Sequence, residues 1–206
     1  MAERGISVAI LGPDGAGKTT LAANLAALLD APTRYVYLGV ARRNVLDAAI
    51  LRPLIGVKLL LRLMDLLRRV QVARWHAFRG RVVVFDRYVY DALLPAAGAS
   101  WRARTRSSLI ARVARPADLA LLLDVPAQVM FDRKGEHDPG YLERQRQGYL
   151  AMRGRLPNVV VLDGTRSAAE VARTAAEQVQ SELEARRDPR HAGHRVASGP
   201  RRHETS

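Results

Sequence analysis

The chain has 206 residues, 48% of them hydrophobic and 26% charged, which suits one domain of ordinary size and excludes a collagen-like or wholly disordered chain. It contains no cysteine, which excludes a disulfide framework, a cysteine zinc site and a thiol nucleophile. The 33 basic residues outnumber the 20 acidic ones, and the formal net charge of +13 fits acidic small molecules, nucleic acid or an anionic membrane as partners.

Short apolar runs alternate with helical segments along most of the chain. The pattern predicts β-strands at residues 6–11, 34–40, 82–85, 119–123 and 159–162. It predicts helices at residues 19–30, 44–79, 100–115, 127–134, 141–153 and 167–186. Ser167 and Glu170 open the last helix at capping-box spacing. Because strands that are apolar throughout are buried on both faces, this order predicts an α/β fold with a five-stranded parallel sheet and helices on both faces.

We expect neither a targeting segment nor a membrane-spanning one. The apolar run at residues 6–11 is too short for a secretory signal, and charged residues interrupt the most apolar stretch, at 54–67. A cytoplasmic location is therefore expected. From about residue 187 the sequence loses its apolar periodicity, so we expect one domain over residues 1–186 and a disordered basic tail over residues 187–206.

The turn between the first strand and the first helix carries a phosphate-binding motif. It matches the P-loop pattern G-x-x-x-x-G-K-S/T with Gly12, Pro13, Asp14, Gly15, Ala16, Gly17, Lys18 and Thr19, followed by Thr20. In this pattern the glycines let backbone N–H groups face phosphate oxygens, the lysine reaches the β- and γ-phosphates, and the Thr19 hydroxyl ligates Mg²⁺. A chance match in an ordinary turn is the alternative, but this motif follows a predicted strand and opens a predicted helix, as a P-loop must. The sequence therefore predicts a nucleotide-phosphate site that uses ATP and Mg²⁺.

Two further strand ends carry acidic residues. Asp86 ends the third predicted strand, where a P-loop protein places its second magnesium ligand, so Thr19 and Asp86 are the predicted metal residues. Arg87 follows at the edge of the sheet where ligands bind in open α/β folds. Asp124 ends the fourth strand and is the second candidate for a metal residue. The other interpretation, which we favour, is that Asp124 has a structural role as a cap.

These motifs, in this order, resemble the thymidylate kinase family over about residues 6–180. The resemblance rests on the P-loop, on Asp86-Arg87-Tyr88, on residues 123–126, and on Arg133 and the arginine-rich segment 143–150. It implies a P-loop NTPase fold with a short lid over about residues 133–146. It also implies transfer of the γ-phosphoryl group of ATP to a small phosphorylated or hydroxyl acceptor.

The resemblance implies a role for several residues. Asp14 would hydrogen-bond a sugar hydroxyl of the acceptor, Asp86 would hold magnesium through water, and Arg87 would bind the acceptor phosphate. Because Ala16 means that the P-loop lends no arginine, Arg133 would be the lid arginine that contacts the transferring phosphoryl group. The implied catalytic residues are thus Lys18, Asp86, Arg87 and Arg133.

Two more lid arginines are weaker candidates for the same role. Arg144 and Arg146 lie on a predicted helix, where arginines usually form a solvated face. His137, in the loop before that helix, could be considered as a general base. A lone loop histidine is usually solvated, however, and phosphoryl acceptors need little help from a base.

The sequence does not identify the molecule that accepts the phosphoryl group. Family members carry Arg-Glu-Pro-Gly-Gly after the second strand, where this chain has a different sequence at residues 37–44. Residues 91–98 lack the glutamine that the family uses to read thymine. The acceptor could be dTMP, another nucleotide, a nucleoside or a phosphorylated metabolite. A catalytically silent nucleotide-binding regulator remains the alternative from a different class.

The expected partners are ATP and a small-molecule acceptor. Aromatic residues make up only 5% and do not interleave with the arginines, so no specific nucleic-acid partner is predicted.

Family members commonly dimerise, and the apolar helix at 54–67 could serve that purpose. The longer predicted helix at 44–79, which includes this stretch, carries a polar stripe of Lys58, Arg62, Asp65 and Arg69. Such a helix can lie on a membrane but is more often packed on its own domain. We expect Trp75 to be a packing residue, although it could also line the acceptor pocket.

Overall fold

A computed structural model describes residues 5–37, 55–86, 116–154 and 156–187 of the chain. The helix predicted at 100–115 and the tail beyond residue 187 lie outside the described residues, as does the first part of the helix predicted at 44–79.

The described elements form an α/β fold. The strands are β1 (Ser7–Leu11), β2 (Thr33–Tyr37), β3 (Val82–Asp86), β4 (Leu119–Asp124) and β5 (Val159–Asp163). The helices are α1 (Lys18–Leu28), α2 (Ile55–Phe78), α3 (Ala127–Lys134), α4 (Pro139–Met152) and α5 (Ala168–Arg187). All neighbouring strands are parallel, in the order β2-β3-β1-β4-β5. The predicted five-stranded parallel sheet is therefore confirmed, and where both ends of an element are described, most of the predicted ends differ by no more than two residues.

Side chains alternate between the two faces of the sheet. In β1, Val8 and Ile10 join a core shared with α1 and α5, whereas Ala9 and Leu11 join a core shared with α2 and α4. β3 is buried along its whole length, and β4 is buried up to Asp124. Helices thus cover both faces, which is why the central strands are continuous apolar runs in the sequence.

The capping box predicted for α5 is confirmed. The Ser167 hydroxyl lies 2.5 Å from Oε2 of Glu170, and the backbone N–H of Glu170 donates to the same hydroxyl at 3.3 Å. The backbone N–H of Ser167 also donates to Glu170 at 3.1 Å. The hydrogen bonds that the Glu170 carboxylate accepts from the Ser167 hydroxyl and, to a smaller extent, from the Ser167 N–H lower the pKa of Glu170. The reciprocal contacts satisfy backbone donors that the start of a helix leaves without partners.

The order of the strands creates a crevice at their carboxyl ends. β1 and β4 are neighbours, yet the chain leaves β1 toward β2 on one side of the sheet and leaves β4 toward β5 on the other. In open α/β sheets such a reversal of direction is where ligands bind. The glycine-rich turn follows β1 directly, and Asp86 and Asp124 end the strands on either side of it.

One helix, α2, is apolar on two opposite faces. Val70 and Ala73 are buried against the sheet, whereas Trp75 and Phe78 are exposed. The expectation that Trp75 is a packing residue is therefore wrong, because its ring lies on the outer side of the helix. Neither α2 nor any other helix in the described ranges is long and apolar enough to cross a membrane.

The junction between α2 and β3 is held by a buried histidine. His76 is only 8% exposed, and its Nδ1 lies 3.0 Å from Nη1 of Arg81. The backbone N–H of Arg81 also donates to the carbonyl oxygen of His76 at 3.2 Å. Burial, followed by the positive charges of Arg81, Arg34 and Arg79, lowers the pKa of His76. The folded protein therefore favours the neutral ring, which can accept a hydrogen bond from Arg81.

This histidine should make stability depend on pH. Because its pKa is lower in the folded chain than the ordinary value of about 6.5, the unfolded chain binds the proton first as the pH falls. The contribution of His76 is fully present above that ordinary value and is lost as the pH falls through the folded-state pKa. We expect the unfolding free energy, measured by chemical denaturation, to decrease from neutral to mildly acidic pH. His76→Gln should flatten this dependence, and an unchanged slope in that variant would contradict the assignment.

Candidate active site

The turn between β1 and α1 has a backbone that requires glycine. Gly12, Gly15 and Gly17 have φ angles of +144°, +87° and +95°. A Cβ atom on Gly15 would lie 2.8 Å from the carbonyl oxygen of Met130 in α3. A larger residue there would strain the backbone and collide with α3, so the loop keeps both its curvature and its contact with α3 only with glycine.

The start of α1 faces the crevice with backbone donors. Gly17 precedes the helix in a left-handed conformation, and no side chain of the described residues caps this helix end. The N–H groups of the first turn, from Lys18 to Thr20, have no acceptor within the helix. Together with the positive end of the helix dipole, they favour an anion at this position.

Lys18 is held over the loop by the loop's own carbonyl groups. Its Nζ donates to the carbonyl oxygens of Gly12 at 2.8 Å and Pro13 at 2.7 Å. Oδ1 of Asp14 lies 3.5 Å from the same nitrogen, and Lys18 is only 8% exposed. A nearly buried ammonium group, which is costly to desolvate, is thus stabilised at the mouth of the glycine-rich turn.

Thr19 and Asp86 meet although they are 67 residues apart in the chain. The Thr19 hydroxyl donates to Oδ2 of Asp86 at 3.3 Å, and the Tyr35 hydroxyl donates to the same oxygen at 2.7 Å. Asp86 is only 4% exposed. Sequence reasoning missed Tyr35. It lies in β2, two residues before Tyr37, which is the residue that pairs with Asp86 in the sheet. Its alternation with Tyr37 along an edge strand was the available signal.

The Thr19 and Asp86 pair suits a magnesium ion that binds together with a nucleotide. Both side chains offer hard oxygen atoms, which Mg²⁺ prefers, and magnesium sites commonly combine one or two carboxylates with substrate phosphates and water. Within the described ranges, no group of three or more His, Cys, Asp or Glu side chains could hold a metal by itself. The donor set therefore fits magnesium that brings phosphate ligands of its own.

A cavity of about 280 Å³ opens beside the first turn of α1. Its lining includes Ala16, Thr20, Leu123, Arg133, Arg166 and Val171. Arg133 donates from Nη2 to the carbonyl oxygen of Gly164 at 3.1 Å. The lid arginine named from the sequence thus lies in this cavity, between α3 and the loop that follows β5.

The loop after β5 is a part of the site that sequence reasoning missed. The N–H of Gly164 donates to the carbonyl oxygen of Asp124 at 2.9 Å, and a Cβ atom on Gly164 would overlap Val125. Asp163 accepts hydrogen bonds from the hydroxyl and the N–H of Thr165, at 2.6 and 3.0 Å, and these lower its pKa. An Asp-Gly-Thr sequence directly after a strand was the available signal for such a turn.

Arg146 and Asp124 form an ion pair that corrects two expectations. Nε and Nη2 of Arg146 donate to the two carboxylate oxygens of Asp124 at 2.5 and 3.2 Å. Nη1 of Arg146 also donates to Glu143 at 3.2 Å. The hydrogen bond to Asp124 raises the pKa of Arg146, although burial acts in the opposite direction. Arg146 is therefore not part of a solvated face, and Asp124 is not a cap, because Pro126 precedes α3.

The loop between α3 and α4 brings His137 close to the glycine-rich turn. Nε2 of His137 lies 3.9 Å from Oδ2 of Asp14, and its ring centre lies 4.9 Å from that of Tyr141. Asp138 caps α4 by accepting a hydrogen bond from the N–H of Tyr141 at 3.1 Å. His137 is exposed, as expected, but it also extends the set of polar groups around Asp14.

Arg87 lies outside the described residues, as does the segment 91–98 named for base recognition. Lys18, Asp86 and Arg133 are described. Two of these, Lys18 and Asp86, lie at the glycine-rich turn, and Arg133 lines the neighbouring cavity.

Comparisons with other proteins do not assign the chain to a family. No protein-family model matches the chain, and a search of curated proteins also finds no match.

The Arg146–Asp124 ion pair should stabilise the fold. Arg146→Ala leaves a partly buried carboxylate without its bidentate partner, and we expect the unfolding free energy to fall by about 1–3 kcal/mol. Arg144→Ala is the matched control, since Arg144 is exposed on the same helix, and it should change stability by less than about 0.5 kcal/mol. Urea denaturation measures both, and equal effects of the two variants would contradict this role of the ion pair.

Proposed function

We propose that the chain is an ATP-dependent phosphotransferase with a P-loop NTPase fold and a short lid, similar to thymidylate kinase. It transfers the γ-phosphoryl group of ATP to a small acceptor, of which dTMP or another nucleotide is the first candidate. The observation that carries this proposal is the 3.3 Å contact between the Thr19 hydroxyl and Asp86, beside the lysine of the glycine-rich turn. If the motif matched by chance in an ordinary turn, there would be no reason for Thr19, the last residue of the motif, to contact the carboxylate of Asp86 at the end of β3.

Residues of the turn bind and orient the phosphates. Lys18 and the backbone N–H groups at the start of α1 supply positive charge and hydrogen-bond donors to phosphate oxygens. Magnesium bound with the nucleotide would neutralise charge on the transferring group, and Thr19 and Asp86 would hold it. Tyr35 positions the carboxylate of Asp86 through its 2.7 Å hydrogen bond. Phosphoryl transfer then depends on positioning and charge stabilisation rather than on covalent chemistry by the protein.

The cavity next to the turn suits the base of the nucleotide. Its volume of about 280 Å³ is close to the lower end of small-molecule pockets, about 300 Å³. The planar guanidinium of Arg133 can stack on a flat ring, and the Gly164 carbonyl already fixes its position. This contact favours Arg133 as a residue that holds the base. Its role on the transferring phosphoryl group, and that of Arg87 on the acceptor phosphate, stay predictions.

The acceptor should approach from the side of Asp14 and the lid loop. Asp14 lies between Lys18 and His137, so it is close to the phosphates and to the segment 135–138 at the same time. A carboxylate in this position can accept a hydrogen bond from a hydroxyl group of the acceptor. The geometry supports a hydroxyl-bearing acceptor such as a nucleotide without selecting its base.

Replacing the turn lysine tests the proposal. Lys18→Ala removes charge from the phosphate site, so we expect ATP consumption with the right acceptor to fall by about a hundredfold or more. The assay covers nucleoside monophosphates, nucleosides and sugar phosphates, each with magnesium. Arg173→Ala, an exposed position of α5, is the control and should keep full activity.

Each outcome of that panel has a separate meaning. Turnover with dTMP alone supports a thymidylate kinase, and turnover with another acceptor supports a kinase with a different substrate. Activity that survives in Lys18→Ala contradicts the proposed site. Tight ATP binding by the parent chain without turnover on any acceptor favours the nucleotide-binding regulator over the kinase.

Asp86 should determine the magnesium requirement. Asp86→Asn keeps the size of the side chain but removes its charge, so half-maximal activity should need at least about tenfold more magnesium. Asp30→Asn, an exposed aspartate between α1 and β2, should leave the requirement unchanged. Titration of activity against magnesium measures both. An Asp86→Asn curve that overlays the parent curve would exclude Asp86 as a metal residue.

A further inference from the structure

The outer side of α2 carries a stripe of large apolar side chains. With 3.6 residues per turn, Met64, Leu67, Trp75 and Phe78 fall on one side of the helix, opposite Val70 and Ala73, which are packed against the sheet. Met64 is 58% exposed, Trp75 49% and Phe78 63%. We name these four residues the outer stripe. The exposed Gln71 lies between Leu67 and Trp75 on the same side, so the stripe consists of two apolar pairs with one polar residue between them. Exposed large apolar side chains grouped in this way usually mark an interaction site.

Arginines border the outer stripe on both sides. By helical geometry Arg68 and Arg79 flank one edge and Arg74 flanks the other. The guanidinium carbon of Arg79 lies 4.1 Å from the centre of the Trp75 ring. This cation–π contact holds Arg79 against Trp75, and the three arginines together give the outer stripe a positive rim.

Few acidic residues on α2 offset the positive charge of these arginines. Over residues 64–79, Asp65 is the one acidic residue beside four arginines. It already lies 2.7 Å from Arg69 and 3.5 Å from Arg68. The rim is therefore complementary to a negatively charged partner.

The positive charge of the rim and the apolar character of the stripe together distinguish between the possible partners. A two-fold contact with a second copy would bring two arginine rims together, and like charges across an interface are unfavourable. Nucleic acid would satisfy the arginines but would leave Met64, Leu67 and Phe78 in water. An anionic lipid surface meets both needs, since arginines bind its headgroups while apolar and tryptophan side chains enter the boundary with the acyl chains.

We propose that the outer stripe of α2 docks the protein on the surface of an anionic lipid bilayer. The helix lies flat in the interface, with its inner face still packed on the sheet. Arginines near an anionic leaflet add attraction, and their long side chains can reach headgroups while the stripe is buried. This inference is independent of the nucleotide chemistry, because none of its residues belongs to the proposed phosphate site.

Flotation with lipid vesicles tests the proposal on the full chain. The vesicles contain phosphatidylcholine alone, or phosphatidylcholine with about a third replaced by phosphatidylserine to give the negative surface charge of a cytoplasmic leaflet. We expect binding to the anionic vesicles only, and weaker binding as salt is raised. The double variant Met64→Gln, Phe78→Gln should bind at least about tenfold more weakly.

Two controls separate the stripe from general charge and from misfolding. Leu28→Gln removes an apolar side chain of similar exposure, 47%, from α1 and should bind vesicles as the parent does. The pair Arg74→Gln, Arg79→Gln should weaken binding more than Arg153→Gln, Arg173→Gln, which removes the same charge elsewhere. Thermal unfolding of each variant checks that the fold is kept.

Several results would overturn the proposal. These are no binding to anionic vesicles, equal binding to both kinds of vesicle, and binding that the stripe variant retains in full. Sedimentation measures the oligomeric state in parallel. A dimer that the stripe variant converts to a monomer, without vesicle binding by either, would make the stripe an interface between copies instead.

Discussion

The turn between β1 and α1 has no room for side chains at two of its glycines. A Cβ atom on Gly15 would meet the Met130 carbonyl at 2.8 Å, and one on Gly12 would meet the Leu123 carbonyl at 3.1 Å. Ala16, between them and the helix, is buried in the core. The turn is therefore clamped between β4 and α3, and this contact fixes where Lys18 leaves the backbone. Every other feature of the site is arranged around that point.

Three strands end in an aspartate at the same edge of the sheet, and each carboxylate has a different environment. Asp86 accepts from Tyr35 and Thr19, Asp124 is paired with Arg146, and Asp163 accepts from Thr165. Because Asp124 is already neutralised by an arginine, it is poorly suited to hold a metal. Asp86 has two hydroxyl partners instead, which leave its negative charge in place next to the turn. The partners, rather than the strand positions, thus favour Asp86 for the metal.

Much of this arrangement can be predicted from the sequence, and the exceptions share a cause. The apolar runs and helical segments predict all five strands and α3, and the motif predicts that Thr19 and Asp86 share a site. The contact between Arg146 and Asp124 depends on how α4 is placed over β4. Tyr35 reaches Asp86 only because of the register between β2 and β3. These contacts join separate elements, and no local pattern in the chain encodes them.

The outer stripe belongs to a helix on one face of the sheet, and α1, which begins at the glycine-rich turn, packs on the other face. α2 ends at Phe78, and after a short turn the chain enters β3 at Val82 and reaches the carboxyl edge at Asp86. Five residues of strand cover about 16 Å. The C-terminal end of the stripe is therefore near the amino edge, and the stripe extends about 21 Å from there back to Met64, along the length of the strands. Because the stripe faces away from the sheet, a bilayer in contact with it would leave the crevice open to water. Docking through α2 and access of a nucleotide to the turn are thus compatible, because the sheet itself separates the two surfaces.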